Sequence, residues 1–199
     1  MYLSATPRRR FIGTAALTLG LVAITGRLSI VAAQQKPKAS PPVLVTSLGQ
    51  SLDAFQVQLT VRRAGVAFEY DPLAGVDMLN NVKTLFLAVG ASKKGFGDAG
   101  ITINDELARA SKLLDAAQSK GVYVVVLHMG GEERRDALSD QLIDLVAPRA
   151  KYLIIREDSD ADGKFAGIAK AGNIPLQIDR KSTRLNSSHI QKSRMPSSA

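Results

Sequence analysis

An α/β fold with a mostly parallel sheet is predicted by three features of the chain. Four short apolar runs, beginning at Pro42, Thr84, Tyr123 and Tyr152, each break into a small polar loop. Segments with helical spacing alternate with these runs, as in successive βαβ units. The runs themselves lack the period-two alternation of a half-exposed strand, so they fit strands covered on both faces.

The elements follow in order. Residues 43–46 are too short and too apolar for a surface helix and give the first strand. Ser51 is placed to cap a helix reaching about residue 63, with Leu52, Phe55 and Leu59 spaced for one buried face and Gly65 as its stop. A second strand spans 66–70 and breaks at Asp71-Pro72. A helical turn occupies 73–80, and residues 84–89 form the third strand. Residues 90–103 are Gly-rich and without a pattern of their own, and long loops of that kind are disproportionately functional. Asn104 caps an amphipathic helix to about 119, with Leu107, Ala110, Leu114 and Ala117 on one side. Strands at 123–127, 152–155 and 174–178 alternate with helices at 138–146 and 163–171. Together these elements predict a three-layer, flavodoxin-like sandwich with a mostly parallel sheet of five to six strands. Ligands of such sheets bind outside the carboxyl ends of the strands, near the point where strand order reverses. The rule selects the loops after Thr46, Val89, Leu127 and Ile155.

The formal charge of +8 suggests an anionic partner until its distribution is considered. Residues 1–33 hold four arginines and no acid, and residues 179–199 hold five basic residues and one acid. Between them, 17 basic and 17 acidic residues cancel, so the domain carries no basic footprint and nucleic acid is excluded as a partner. Cysteine is absent, which excludes disulfides, thiolate metal sites and a cysteine nucleophile.

Both ends carry their own signals. Arg8, Arg9 and Arg10 precede an apolar stretch and a small-residue segment ending Val31-Ala32-Ala33, the parts of a cleavable signal peptide. Arg8-Arg9-Arg10-Phe11-Ile12 resembles the twin-arginine export pattern, although Pro7 stands where that pattern prefers Ser or Thr. The expected location is therefore periplasmic or secreted, with membrane contact only through the signal segment before cleavage. Residues 34–42 are a linker. Residues 43–178 form a single domain, expected to be truncated at its C-terminus. Residues 179–199 resemble translated read-through of a DNA-sequencing adapter, a non-native tail excluded from functional reasoning.

Several motifs compete for attention. Gly95-Phe96-Gly97-Asp98-Ala99-Gly100 has the letters of the dinucleotide fingerprint, but five residues separate it from the preceding strand, whereas the mechanism needs a tight turn at the strand end. Gly90 to Gly95 has the Walker spacing, but Phe96 stands where Lys must meet phosphate, so no P-loop is present. Ser92 follows a strand as a nucleophile would, and His128 is the single histidine of the domain, so a Ser/His hydrolase or transferase would pair His128 with Ser47 or Ser92. Asp158, Asp160 and Asp162 ahead of Gly163 match the first half of a calcium loop, but Ala169 occupies the place of its bidentate Glu. A solvated acidic turn capping the next helix explains the same letters.

The loops after the strands supply Ser47, Gln50, Ser51, Ser92, Lys93, His128 and Arg134 as candidate contacts for a small anion. Three functions remain open: an exported small-ligand binding domain, a Ser/His enzyme, and a protein-interaction module. No cofactor is identifiable. The segments Val45-Thr46-Ser47-Leu48-Gly49-Gln50-Ser51, Gly90-Ala91-Ser92-Lys93-Lys94-Gly95, His128-Met129-Gly130-Gly131 and Val146-Ala147-Pro148 resemble a family of small exported bacterial α/β domains of unknown function. That resemblance implies the α/β fold and export, and no activity.

Overall fold

In the computed structural model, residues 39–179 are described. Six parallel strands, β1 (Val43–Leu48), β2 (Phe68–Tyr70), β3 (Thr84–Val89), β4 (Tyr123–His128), β5 (Tyr152–Arg156) and β6 (Leu176–Asp179), lie in the order β2-β1-β3-β4-β5-β6. The helices are α1 (Asp53–Arg63), α2 (Lys93–Ala99), α3 (Ile103–Ser119), α4 (Ala137–Val146) and α5 (Lys164–Gly172). This is the predicted α/β sandwich. Its chain moves outward from β1 to β2 and then returns to β3 on the other side of β1. Strand order therefore reverses between β1 and β3, the point outside which ligands of such sheets bind.

Every residue of β1 and β3 is buried, which explains their unbroken apolar character. Alternate side chains build two cores. Leu44, Leu48, Leu87, Val89, Val126 and Ile155 pack with residues of α3, α4 and α5 on one face. Val43, Val45, Phe86, Ala88, Leu127 and Ile154 pack with Ala54, Val57 and Val61 of α1 on the other.

Four local expectations are corrected. Strand β1 continues to Leu48, so Ser47 belongs to the strand and is buried, and does not lie in the loop. Helix α1 buries Ala54, Val57 and Val61, while Leu52 and Phe55 are 78% and 58% exposed. Two stripes on this helix have apolar residues at helical spacing, and the smaller side chains fit the sheet. The segment after β3 is not a structureless loop. It contains α2, capped by Ser92, whose Oγ accepts the Gly95 N–H at 3.1 Å. Thr102, not Asn104, caps α3 through a capping box with Asp105. At the two margins, Ala39 is buried and Ser40 exchanges hydrogen bonds with Thr84, so packed structure begins ahead of β1. Asp179 pairs with Arg156 at the end of β6. The signal segment and the tail beyond Asp179 lie outside the described residues.

Candidate ligand site at the sheet switch point

The turn after β1 is built by close approach of main chain to main chain. Gly90 N–H donates to Leu48 O at 2.9 Å and Ser92 N–H to Gly49 O at 2.8 Å, so the β1 and β3 loops stay paired past the strand ends. Gly49 has φ +106°, and a Cβ there would stand 2.3 Å from Gly90 O, which only glycine avoids. Helix α3 anchors the turn. The fully buried Glu106 accepts the Gly49 N–H at 2.7 Å and the Gln50 Nε2 at 3.0 Å, while Arg109 Nε lies 2.8 Å from its second oxygen. Arg109 also donates to the carbonyls of Ser47 and Ala74. Gln50, in the left-handed region at φ +56°, is thus a strut whose amide also reaches Pro72 O at 3.1 Å.

Asp53 follows at the first position of α1 and is only 4% exposed. Ser51 Oγ accepts its N–H at 3.3 Å. The carboxylate lies between the loops after β3 and β4: a Cβ on Gly90 would be 2.9 Å from Asp53 Oδ2, and one on Gly130 2.6 Å from it. That oxygen has no hydrogen-bond partner among the described residues. Gly130 also carries the aliphatic stem of Arg134 against it, and Gly131, at φ +71°, leaves room for the guanidinium of Arg156. Arg156 in turn holds both oxygens of Asp158.

His128 closes β4 and is fully buried, its ring 5.5 Å from that of Phe165. Its Nδ1 lies 2.7 Å from Val89 O, and since a carbonyl only accepts, Nδ1 carries the proton. Nε2 is then an acceptor, and among the described residues no hydrogen bond of standard geometry reaches it. Burial pushes the imidazole below the ordinary value of 6.5, against the opposing pull of the Val89 carbonyl, the Asp53 charge and the Gly131 backbone.

The remaining candidates are placed as follows. Ser47 Oγ is buried without a partner, but Ser47 shares its face of the sheet with Val45 and Leu127, whereas His128 shares the opposite face with Val126. Strand alternation therefore directs the two side chains away from each other. Ser92 is engaged as a helix cap, and no hydrogen bond joins it to His128 among the described residues. The structure thus does not assemble either Ser/His pair. Lys93 is exposed at the start of α2 and Arg134 is half-buried at the rim.

Each of the three aspartates considered for calcium has its own protein partner. Asp158 binds Arg156, Asp160 caps α5 through the N–H groups of Phe165 and Ala166, and Asp162 binds Arg135. Among the described residues no group of three acidic or histidine side chains is set to hold a metal ion. The acidic turn is a cap and an ion-pair network, with Arg135 also linking Asp140 and lying 5.5 Å over the Phe165 ring.

A cavity of about 670 Å³ lies at the other end of the sheet, lined by Gln118, Tyr123, Arg149, Lys151 and Asn173. It gathers no unpartnered buried polar side chain, so the chemistry points to the switch point.

The fold is a flavodoxin-like α/β domain with a candidate ligand edge at its switch point. The chain belongs to a family described as "Domain of unknown function (DUF6305)", which matches residues 40–188. No curated protein matches it. Among solved structures it is similar to a "putative acylhydrolase" from Bacteroides fragilis NCTC 9343, at 8% identity and a TM-score of 0.34, with 72% of this chain and 71% of the other covered.

Proposed function

We propose that this is an exported small-ligand binding domain, with its ligand at the edge outside the carboxyl ends of β1, β3 and β4. One observation carries the reading: Asp53 Oδ2 and His128 Nε2, both buried and both without a hydrogen-bond partner among the described residues, lie at that same edge. Leaving such a group unpaired costs about 1–3 kcal/mol, which a bound ligand offsets. An anionic group on the ligand is served by Lys93 and Arg134 at the rim. A thermal-shift screen of the full chain against anions, nucleotides and divalent cations tests the reading, because a ligand that binds only the folded state raises the Tm. A stabilising anion whose effect weakens in Lys93→Ala and Arg134→Ala supports it, and uniform silence sinks it.

Export rests on the Arg8-Arg9 pattern. Replacing both with Lys is expected to hold the precursor in the cytoplasm, and unimpaired export would exclude the twin-arginine route. A second reading, a protein-interaction module, is favoured by the exposure of Leu52 and Phe55 beside that edge. It predicts a partner whose binding is lost in the Leu52→Ser, Phe55→Ser double variant.

A further inference from the structure

We propose that the ligand carries a protonated amine that docks on Asp53, in addition to its anionic group, which makes it a small zwitterion of the aminocarboxylate class. The inference rests on the ligand-binding reading above and narrows it. Five buried side-chain atoms lack a partner among the described residues: the hydroxyls of Ser47 and Ser159, a carboxylate oxygen each of Asp53 and Asp179, and His128 Nε2. The two beside the loops after β3 and β4, Asp53 Oδ2 and His128 Nε2, are acceptors, the single imidazole proton being held by Val89 O. A group that satisfies them must donate, and a simple anion does not. Charge leads to the same class. A buried carboxylate requires a compensating cation or donors, yet Arg156 pairs with Asp158, Arg135 with Asp140 and Asp162, and Arg109 with Glu106. Arg134, whose stem lies against Gly130, forms no ion pair with Asp53, and Arg156 reaches it only as a more distant charge. No ion pair joins Asp53 to any of them among the described residues. The absence there of a third ligating side chain disfavours a divalent cation in the same role and leaves an organic amine.

Matched pairs isolate the amine. Glycine, β-alanine and γ-aminobutyrate differ from acetate, propionate and butyrate by the ammonium group alone. With millimolar concentrations of each, the full chain should gain about 2–4 °C in Tm from at least one aminocarboxylate and less than half of that from its partner carboxylate. Asp53→Asn, nearly isosteric and checked for folding by far-UV circular dichroism, should lose the difference. Equal shifts within a pair overturn the amine while leaving the binding reading in place. A shift that Asp53→Asn retains moves the amine away from Asp53 and overturns the inference as well. Silence of both series overturns the inference and the binding reading together. The comparison within the wild-type chain decides the matter even if the variant does not fold.

Discussion

Glu106, on α3, accepts the backbone N–H of Gly49 at 2.7 Å across 57 positions of sequence, and Arg109 holds it in place. Through this bridge a helix on one face of the sheet fixes the turn that leads into the helix on the other. Removing Arg109 would leave a buried carboxylate without its counter-charge. Arg109→Ala is expected to cost about 3–5 kcal/mol of stability. Urea unfolding with an unchanged m-value measures it, and a loss below about 1 kcal/mol, the range of surface pairs, would show that the pair is solvated.

Two glycines of α2 should respond in opposite directions. A Cβ on Gly95 would stand 2.0 Å from Gln50 O, while one on Gly97 meets nothing within 4 Å. Gly95→Ala should therefore destabilise by about 1–3 kcal/mol through overpacking against main chain. Gly97→Ala should stabilise by about 0.5–1 kcal/mol, since alanine restricts the unfolded chain and favours the helix. Thermal unfolding of the two variants side by side is the test, and equal shifts would dissolve the contact between the β1 turn and α2.

The strands were legible because their apolar runs are covered on both faces, and a parallel sheet writes that directly into the sequence. Helix α1 was harder. Leu52, Phe55 and Leu59 have helical spacing and greater bulk, but Ala54, Val57 and Val61 are the residues whose size suits the sheet. Helix α2 has only seven residues, two of them glycine, so no period can show, although Ser92 ahead of Gly95 did offer a cap signal. Glu106 had a readable trace as a charged residue on the stripe shared by Ala110 and Ala117. Its meaning depends on Gly49 and Arg109 meeting it in space. Asp53 carried no sequence signal at all, because an acid in the first turn of a helix is the ordinary expectation.

The corrected face of α1 gives a further prediction. Val57→Ala should cost about 2 kcal/mol, since it empties part of the core, whereas Phe55→Ser should change stability by less than about 0.5 kcal/mol. A larger loss for Phe55→Ser in chemical denaturation would restore the face that includes Phe55.

Burial of His128 sets a pH window. Its folded value lies below 6.5, so the unfolded state binds the proton first, and the neutral histidine contributes fully above 6.5 and progressively less as pH falls below it. The unfolding free energy should therefore fall between pH 7 and 5, by at most about 1.4 kcal/mol per pH unit for one group, and the Tm should drop with it. His128→Asn should flatten that limb. The Asp162 carboxyl, held at about 2 by Arg135 against an ordinary value of 3.8, contributes a separate loss only below that ordinary value. Equal acid sensitivity in wild type and His128→Asn would assign the limb to other groups.

The walls that meet the Asp53 carboxylate, at Gly90 and Gly130, are peptide backbone, and the neighbouring Gly131 is filled by Arg156. A methyl group on either wall would stand against the carboxylate, so a ligand of the kind proposed would meet main chain there, and side chains only at position 53 and at the rim, Lys93 and Arg134. For the proposed site, a small mutational library at those three positions is where altered ligand preference should first appear.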